Sequence, residues 1–421
     1  MKIICGFAPP GRKGRTIPMN KQRTEQQSDA LAFQRAVARR RSRSGVTETP
    51  HARTSKRQKR RRKRVLIPVS IALVMAVLYL LLAFSNIPLF VWCRTMWIET
   101  AMNTGRHHWL AEMLFPQSVI EQVMDGFSTQ SNTTGGGDSL HKVDGNQNET
   151  PDTTIVVDKN DDPLDQKNLT VGGKDYAGNT VLVNDLEEGI VISEIVGNGY
   201  RGQILLVDDP ARVFLGSTIY KGETGMRILD MMEVYGAVAA TNASGFNDAD
   251  GNGNGGVLVG LSYSEGEAWG NFIPSYDSLV LTTENKLVVG SIGNWSEYGN
   301  IRDGIQFYPV LIADGVRQVE GSDGYGLQPR TAIAQRADGV IAFLVIDGRD
   351  PTWSIGCTVG DLADILEDYQ MINASCCDGG ASSCIAYNGK LTTKNCSWNP
   401  EVGRILPNAF MVRSKKDMPK E

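Results

Sequence analysis

The run Val65–Trp92 contains no charged residue and constrains this chain more than any other feature. About 20 apolar residues cross the hydrocarbon core of a bilayer, so the run is long enough to cross with some tilt. The apolar part of a signal peptide is shorter and does not follow 64 residues of tail. The run therefore predicts one transmembrane helix over residues 65–92.

The charges on the two sides of this run differ sharply. Residues 1–64 carry twenty Lys and Arg against three Asp and Glu, whereas the rest of the chain carries twenty-three against forty-four. A tail so basic and poor in apolar residues is expected to be disordered. The positive-inside bias places it in the cytoplasm, as in a type II single-pass protein of the cell membrane. The run Lys56–Arg64 abuts the apolar segment, so we expect these charges to bind membrane lipid and not nucleic acid.

Composition divides the part of the chain expected outside the membrane. Residues 93–125 are predicted to form juxtamembrane amphipathic helices. Residues 126–180 are rich in Gly, Asn, Asp and Thr, as in a flexible linker. A globular domain is expected over 181–413, followed by a short tail, 414–421.

Short apolar stretches bounded by Gly, Asp or Asn dominate residues 181–413 and predict strands. These are expected at Gly189–Val196, Gln203–Val207, Val213–Ser217, Val257–Leu261, Ser278–Thr282, Lys286–Val289, Thr331–Ala334 and Val340–Ile346. Thr224–Tyr235 and Thr358–Tyr369 have apolar residues at helical spacing, and Thr358 with Asp361 resembles a capping box. The predicted fold class is α+β: a strand-rich mixed-sheet domain with two principal helices, preceded by one transmembrane helix.

The two helical stretches begin a repeated pattern. Asp230–Tyr235 parallels Asp364–Tyr369, and each is followed by Asn-Ala-Ser, at Asn242–Ser244 and Asn373–Ser375. We interpret this as a duplicated unit of helix, strand and polar loop, and we expect its two loops to meet at one site.

The first loop, Asn242–Gly256, is rich in glycine, which suggests a backbone that approaches a ligand closely. Asp248, Asp250 and Asn252 match the first half of an EF-hand calcium loop, but Val259 stands where a bidentate Glu belongs. An EF-hand is therefore not expected. Calcium binding by these three residues and a solvated turn remain the alternatives.

Two arginines stand next to predicted strands. Arg330 lies in Gln328–Ala334, and Arg349 follows the strand Val340–Ile346. Two planar guanidinium groups at one sheet edge suit a phosphate or a carboxylate. The alternative is that Arg349 only pairs with Asp347 in a turn.

The second loop of the repeat places Asp378 before Gly-Gly-Ala and the hydroxyls of Ser382 and Ser383. Small residues leave room for a substrate, and hydroxyls with loop N–H groups bind anions. Asp378 is therefore a candidate acid, base or nucleophile, and a turn-forming Asp-Gly pair is the alternative.

In this order the motifs resemble those of the phosphodiester glycosidase family. The motifs that carry the resemblance are Asn242–Phe246, Pro329–Thr331, Asp347–Arg349, Asp378–Ser383 and Gly403–Asn408. The juxtamembrane stretch also resembles that of membrane-anchored bacterial relatives associated with exopolysaccharide biosynthesis. The loop departs from the family pattern at Ser375–Cys377, which precedes Asp378, and at Ala381, which replaces a glycine.

The resemblance implies hydrolysis of a sugar-1-phosphodiester in a cell-surface glycopolymer or exopolysaccharide. Arg330 and Arg349 would hold the phosphodiester, while Asp378 and Asp347 would supply acid, base or nucleophilic help. The other substrate-binding residues would be Thr331, Asn242, Gly245, Ser382 and Ser383.

Cysteine and histidine usage limits other mechanisms. Five of the seven cysteines fall in the domain, so at least one stays outside any disulfide within it. No Cys-x-x-Cys spacing supports zinc. No histidine follows His141, which excludes a Cys–His pair or a Ser–His–Asp triad within the domain. The adjacent His107 and His108 are expected to pack at the membrane interface.

Two other function classes stay open. A non-catalytic glycopolymer-binding or assembly module would keep the fold without the activity, and the altered loop Cys376–Ala381 motivates it. A membrane-organising protein would act through the basic tail.

Overall fold

A computed structural model describes residues 34–35, 50–125, 133–143, 154–155, 162–248 and 252–419. The chain divides into two units, Met1–Leu80 and Leu81–Glu421. The sheets and the predicted site motifs belong to the second unit.

The long helix α1 covers Pro50–Phe84 and begins inside the tail that composition predicts as disordered. Its part Leu66–Phe84 has a mean hydropathy of 2.7 and is long and apolar enough to cross a membrane. The expected span of 65–92 extends too far, because a new helix, α2, starts at Pro88 (Pro88–Met102). Proline lacks the N–H of a continuing helix and disfavours a helical residue before it, so it occupies the first turn of α2.

The other helices are α3 (His108–Glu112), α4 (Gln117–Met124), α5 (Ile228–Tyr235) and α6 (Val359–Asp368). The strands are β1 Thr134–Gly135, β2 Thr180–Asp185, β3 Ile190–Val196, β4 Arg201–Val207, β5 Val213–Ser217, β6 Met226–Arg227, β7 Ala237–Asn242, β8 Leu261–Ser264, β9 Glu267–Gly270, β10 Ser278–Thr282, β11 Leu287–Gly290, β12 Ile301–Gln306, β13 Val310–Ala313, β14 Val316–Arg317, β15 Arg330–Arg336, β16 Ile341–Ile346, β17 Met371–Cys377, β18 Ile385–Tyr387, β19 Lys390–Leu391, β20 Ile405–Leu406 and β21 Asn408–Arg413.

Most strands belong to three antiparallel sheets. The largest has eight strands in the order β14-β13-β17-β15-β16-β4-β3-β2. A six-stranded sheet has the order β1-β11-β10-β12-β8-β9, and a five-stranded sheet has the order β19-β18-β7-β21-β5. The α+β prediction is confirmed. The stretch Val257–Leu261 is not a strand, because only its last residue begins β8.

The strand β16 shows why the largest sheet is buried on both faces. Its side chains alternate in direction, as in any strand. One set packs in the core shared with the other two sheets, and this set is Ile341, Phe343 and Val345. The other set packs on the side of α6, and this set is Ala342, Leu344 and Ile346. The predicted capping box of Thr358 and Asp361 starts α6, and the helix packs on that face through Leu362 and Leu366.

Part of the segment expected to be a linker packs on the domain. β1 pairs with β11, and Leu164 is buried in the core that contains α6. The pairing of β1 uses main-chain atoms, and Leu164 is a single apolar residue, so neither contact changes the amino-acid composition. The composition therefore indicates only a polar spacer. A domain boundary at residue 181 therefore misses contacts made by earlier residues.

Candidate active site

The ends of three neighbouring strands bring the predicted motifs to one edge of the largest sheet. Arg330 starts β15 and pairs with Ile346, the last residue of β16. Thr331 pairs with Cys377, the last residue of β17. Because these pairs are antiparallel, the start of β15 lies beside the ends of β16 and β17. The loops that follow β16 and β17 therefore both leave the sheet next to Arg330.

Asn242, the last residue of β7, joins these loops. Its Nδ2 donates a hydrogen bond to the carbonyl oxygen of Asp378 at 2.6 Å. Its Oδ1 accepts from Thr331 Oγ1 at 2.9 Å and from the N–H of Cys384 at 3.1 Å. The two loops of the sequence repeat thus meet, as expected. Asn242 is buried and its amide positions the loops, and a direct contact with a sugar stays a prediction.

A cavity of about 770 Å³ lies at this edge. The predicted site residues that line it are Arg330, Arg349, Asp378, Asp248 and Asn252. Among its described lining residues, five arginines face two aspartates. This excess of positive charge suits an anion, and guanidinium groups in particular suit a phosphodiester.

Asp378 is a cavity carboxyl whose pKa is perturbed. Burial raises the pKa of Asp378 from 3.8 to about 6, and the charge of Asp248 adds to the rise. The nearby Ser382 hydroxyl and the Arg404 guanidinium act in the opposite direction. A carboxyl that titrates near neutral pH can take or give a proton during a reaction.

Main-chain and side-chain contacts orient the two predicted arginines. Arg330 Nη2 donates to the carbonyl oxygens of Tyr325 and Gly326, both at 2.9 Å. Arg349 Nη2 donates to Gln328 Oε1 at 3.0 Å. A guanidinium carries five N–H donors, more than these contacts use. Both groups are therefore held in place while donors stay available for a ligand.

Glycine at position 380 allows the Asp378 loop to approach Arg349. Gly380 has a φ of 62°, in the left-handed region, and a Cβ there would lie 3.1 Å from Arg349 Nη2. A larger residue would strain the backbone and displace the guanidinium. The second glycine of the Asp-Gly-Gly motif thus has a structural explanation.

Asp347 does not line the cavity. It is buried, its Oδ2 accepts from Trp353 Nε1 at 2.8 Å and its Oδ1 accepts from the N–H of Lys394 at 3.1 Å. Burial raises the pKa of Asp347 to about 6, and these hydrogen bonds oppose the rise. Because both oxygens are engaged away from the cavity, this carboxylate fastens the loop after β16, and its predicted catalytic role finds no support here.

Four other predicted substrate-binding residues are not among those that line the cavity: Thr331, Gly245, Ser382 and Ser383. The Oγ atoms of the two serines are buried without a hydrogen bond of normal geometry in the described part of the chain. A Cβ at residue 245 would lie 3.1 Å from the ring of Phe307, which explains the glycine. Direct contacts between these four residues and a substrate stay predictions.

The predicted calcium ligands have other partners. Asp248 Oδ2 accepts from Arg404 Nη1 at 2.9 Å, and Asn252 Oδ1 accepts from Arg106 Nη2 at 2.8 Å. Asp250 lies outside the described residues. No group of three metal-ligating side chains occurs among the residues with described positions. A cation at these oxygens would have to displace two arginines, and calcium binding stays a prediction.

Arg404 is a cavity residue that the sequence did not reveal. Its guanidinium lies 4.6 Å from the ring centre of Phe246, and its charge lowers the pKa of Asp378. The only signal for it was the closing motif Gly403–Asn408, which gave no role for its arginine.

The cysteines of the described chain are free. Cys376 and Cys377 line the cavity, and burial raises the pKa of the Cys376 thiol to about 12. A thiol that stays protonated near neutral pH is a poor nucleophile. The Cys376 thiol is therefore a weaker candidate for a reactive group than the Asp378 carboxyl.

Comparisons with known proteins bear on the same region. The sequence model of the phosphodiester glycosidase family matches residues 235–413. The SPbeta prophage-derived uncharacterised protein YomE of Bacillus subtilis (strain 168) is 29% identical over 198 residues, which are 43% of this chain and 28% of that protein. The chain therefore spans less than a third of this relative.

Solved structures resemble the chain more remotely. The catalytic domain of zebrafish N-acetylglucosamine-1-phosphodiester alpha-N-acetylglucosaminidase, auto-inhibited by its pro-peptide, is 17% identical with a TM-score of 0.44, covering 54% of this chain and 82% of that one. A hypothetical protein from Synechocystis is 16% identical with a TM-score of 0.36, covering 54% of this chain and 62% of that one. The family match, which extends from the end of α5 to the end of β21, confirms the resemblance that the motifs carry. Residues 235–413 therefore match the phosphodiester glycosidase family.

Proposed function

We propose that this protein is a membrane-anchored hydrolase that cleaves sugar-1-phosphodiester linkages in a cell-surface glycopolymer or exopolysaccharide. The observation that carries the proposal is the shared cavity of Asp378, Arg330 and Arg349, within the part of the chain that matches the family. One such cavity can hold the phosphate and provide a titratable group beside it.

The arginines serve the leaving group. When the bond between the anomeric carbon and the phosphate oxygen breaks, a phosphomonoester leaves with the electron pair and gains negative charge. Arg330 and Arg349 are oriented before the reaction, so they stabilise this charge without reorganising. A phosphomonoester with a second pKa near 6 leaves without a strong proton donor.

Asp378 is then free to act on water. Above about pH 6 its carboxylate is ionised and takes a proton from a water molecule that attacks the anomeric carbon. The new bond joins the water oxygen to the sugar, and the products are the free sugar and the phosphomonoester. The salt bridge between Asp248 and Arg404 keeps a second carboxylate on the cavity wall, where it stabilises positive charge on the sugar ring.

The N-terminal part of the chain supports the cellular setting of this proposal. The helix Leu66–Phe84 is apolar, and the residues before it are strongly basic. A bilayer would hold this helix, with the tail in the cytoplasm and the phosphodiester glycosidase domain outside. The substrate is then a phosphodiester-linked glycan at the cell surface.

The test uses the full chain in detergent with N-acetylglucosamine 1-(methyl phosphate) as the probe. We expect release of free sugar, and we expect Asp378→Asn and Arg330→Gln each to lower the rate by about 100-fold or more. Asp368→Asn, on the exposed end of α6, is the matched control and should retain the parent rate. Equal rates for Asp378→Asn and the parent would show that the assigned group is wrong.

The position of Asp347 favours a second candidate, a non-catalytic glycopolymer-binding or assembly module. Glycosidases generally use two carboxyl groups near the scissile bond; here Asp347 lies off the cavity, and Asp248, the other carboxyl on its wall, is paired with Arg404. Calorimetry that detects binding of the probe to the full chain, with no sugar released over hours, would favour this alternative.

A further inference from the structure

One wall of the cavity comes from outside the match to the phosphodiester glycosidase family. Residues Asn103–His107, which connect α2 to α3, line the cavity together with Asp378 and the arginines. We propose that this segment, the juxtamembrane wall, is a working part of the substrate site and that His107 binds the phosphodiester or its sugar. The identity of that ligand rests on the proposed function.

Hydrogen bonds fix the juxtamembrane wall, together with the end of α2 that precedes it, to the domain. The carbonyl oxygen of Thr100 accepts from Gln328 Nε2 at 2.8 Å, and Asn103 Nδ2 donates to the carbonyl oxygen of Gly324 at 2.7 Å. A Cβ at Gly326 would lie 2.5 Å from the N atom of Thr100, so only glycine permits this approach. The wall is therefore docked closely, and it is not a loose connection between helices.

The loop that receives this contact also holds the two predicted arginines. Gln328 donates to Thr100 through Nε2 and accepts from Arg349 through Oε1. Arg330 donates to the carbonyl oxygens of Tyr325 and Gly326 in the same loop. Docking of the juxtamembrane wall and orientation of both guanidinium groups thus depend on one short stretch of chain.

The juxtamembrane wall adds its own polar groups to the cavity. Arg106 Nη2 donates to Asn252 Oδ1 at 2.8 Å, which joins the wall to the glycine-rich loop. Within the described chain, His107 is the histidine that lines the cavity. Its side chain is exposed, and an imidazole donates at least one hydrogen bond in either protonation state. It therefore suits a phosphodiester oxygen or a sugar hydroxyl.

His108 is the matched control for this proposal. It is the next residue and is also exposed, but it does not line the cavity. Both histidines can be replaced by alanine without opening a buried space, so neither variant should fail to fold.

The experiment labels the detergent-solubilised full chain with diethyl pyrocarbonate and measures each histidine by mass spectrometry. At a saturating concentration of N-acetylglucosamine 1-(methyl phosphate), we expect labelling of His107 to fall several-fold and labelling of His108 to stay unchanged. In the hydrolysis assay, His107→Ala should raise KM about tenfold, the loss typical of one hydrogen bond to a charged group. His108→Ala should keep the parent KM.

The two readouts separate this inference from the proposed function. Protection of His107 without any release of sugar would support the inference that the juxtamembrane wall binds the probe, and it would contradict the proposal that the protein hydrolyses it. Unchanged labelling of His107 at saturation, with hydrolysis intact in His107→Ala, would overturn the inference and leave the hydrolase standing. A faster His107→Ala variant would also overturn it, because the wall would then obstruct the site.

Discussion

Replacing Asp378 with asparagine is expected to remove activity and to stabilise the protein at the same time. Burial raises the pKa of Asp378 from 3.8 to about 6, so the folded protein holds this proton more tightly than the unfolded chain does. Below about pH 4 the protonated carboxyl makes its full favourable contribution to the free energy of unfolding. This contribution is lost as the pH rises through about 6.

The size of this effect follows from the same values. A difference of one pH unit in pKa corresponds to about 1.4 kcal/mol, so the ionised carboxylate costs at most about 3 kcal/mol above pH 6. The side chain is only partly buried and its cavity side meets solvent, which screens the charge. We therefore expect Asp378→Asn to raise the free energy of unfolding by about 1–2 kcal/mol near pH 8.

The assay is unfolding of the full chain in detergent by urea, with tryptophan fluorescence as the signal. It is carried out at about pH 8 and again near pH 4. The free energy of unfolding of Asp378→Asn should exceed that of the parent near pH 8 and equal it near pH 4. Asp368→Asn provides the control, because its carboxyl is exposed at the end of α6. Equal stability of Asp378→Asn and the parent near pH 8 would refute the claim that burial perturbs this carboxyl.

Three further changes test other parts of the site and fold. In Arg404→Gln, the pH at which kcat/KM reaches half of its maximum should increase by up to about one unit, because Arg404 lowers the pKa of Asp378. An unchanged pH of half-maximal kcat/KM would contradict this. Phe343→Ala should lower the free energy of unfolding in urea by about 3–5 kcal/mol, because its ring is fully buried between the sheets, and a loss below about 1 kcal/mol would contradict the packing. Cys376→Ala should release sugar within about threefold of the parent rate, because the buried thiol stays protonated. A loss of about 100-fold or more would instead indicate that Cys376 is the nucleophile.

The fold class was readable from the sequence because β-branched and aliphatic runs between turn residues mark buried strands. β5 and β10 have the bounds that these runs predict. Strand order was not readable, since every pairing between distant strands depends on packing that a local pattern does not contain. The repeat predicted a strand before each site loop, where β7 and β17 lie, but these strands are rich in alanine, cysteine and polar residues, so their bounds were not readable.

The site was readable only in part, for a related reason. Arg330, Arg349 and Asp378 follow or begin strands that pair, so motif order was enough to suggest that they meet. Asp347 also directly follows a strand, β16, but its carboxylate oxygens accept hydrogen bonds from the indole N–H of Trp353 and from a main-chain N–H. The juxtamembrane wall could not be predicted from the sequence, because the residues that it contacts lie 146 and 221 positions away along the chain.

The most direct test of the central claim is to let the full chain hydrolyse N-acetylglucosamine 1-(methyl phosphate) in water labelled with the heavy isotope of oxygen. If the cavity holds the phosphate while water attacks the anomeric carbon, mass spectrometry will find the label in the released sugar and none in the methyl phosphate. Label in the methyl phosphate would mean that the bond to phosphorus breaks instead, and it would contradict a glycosidase mechanism at this site.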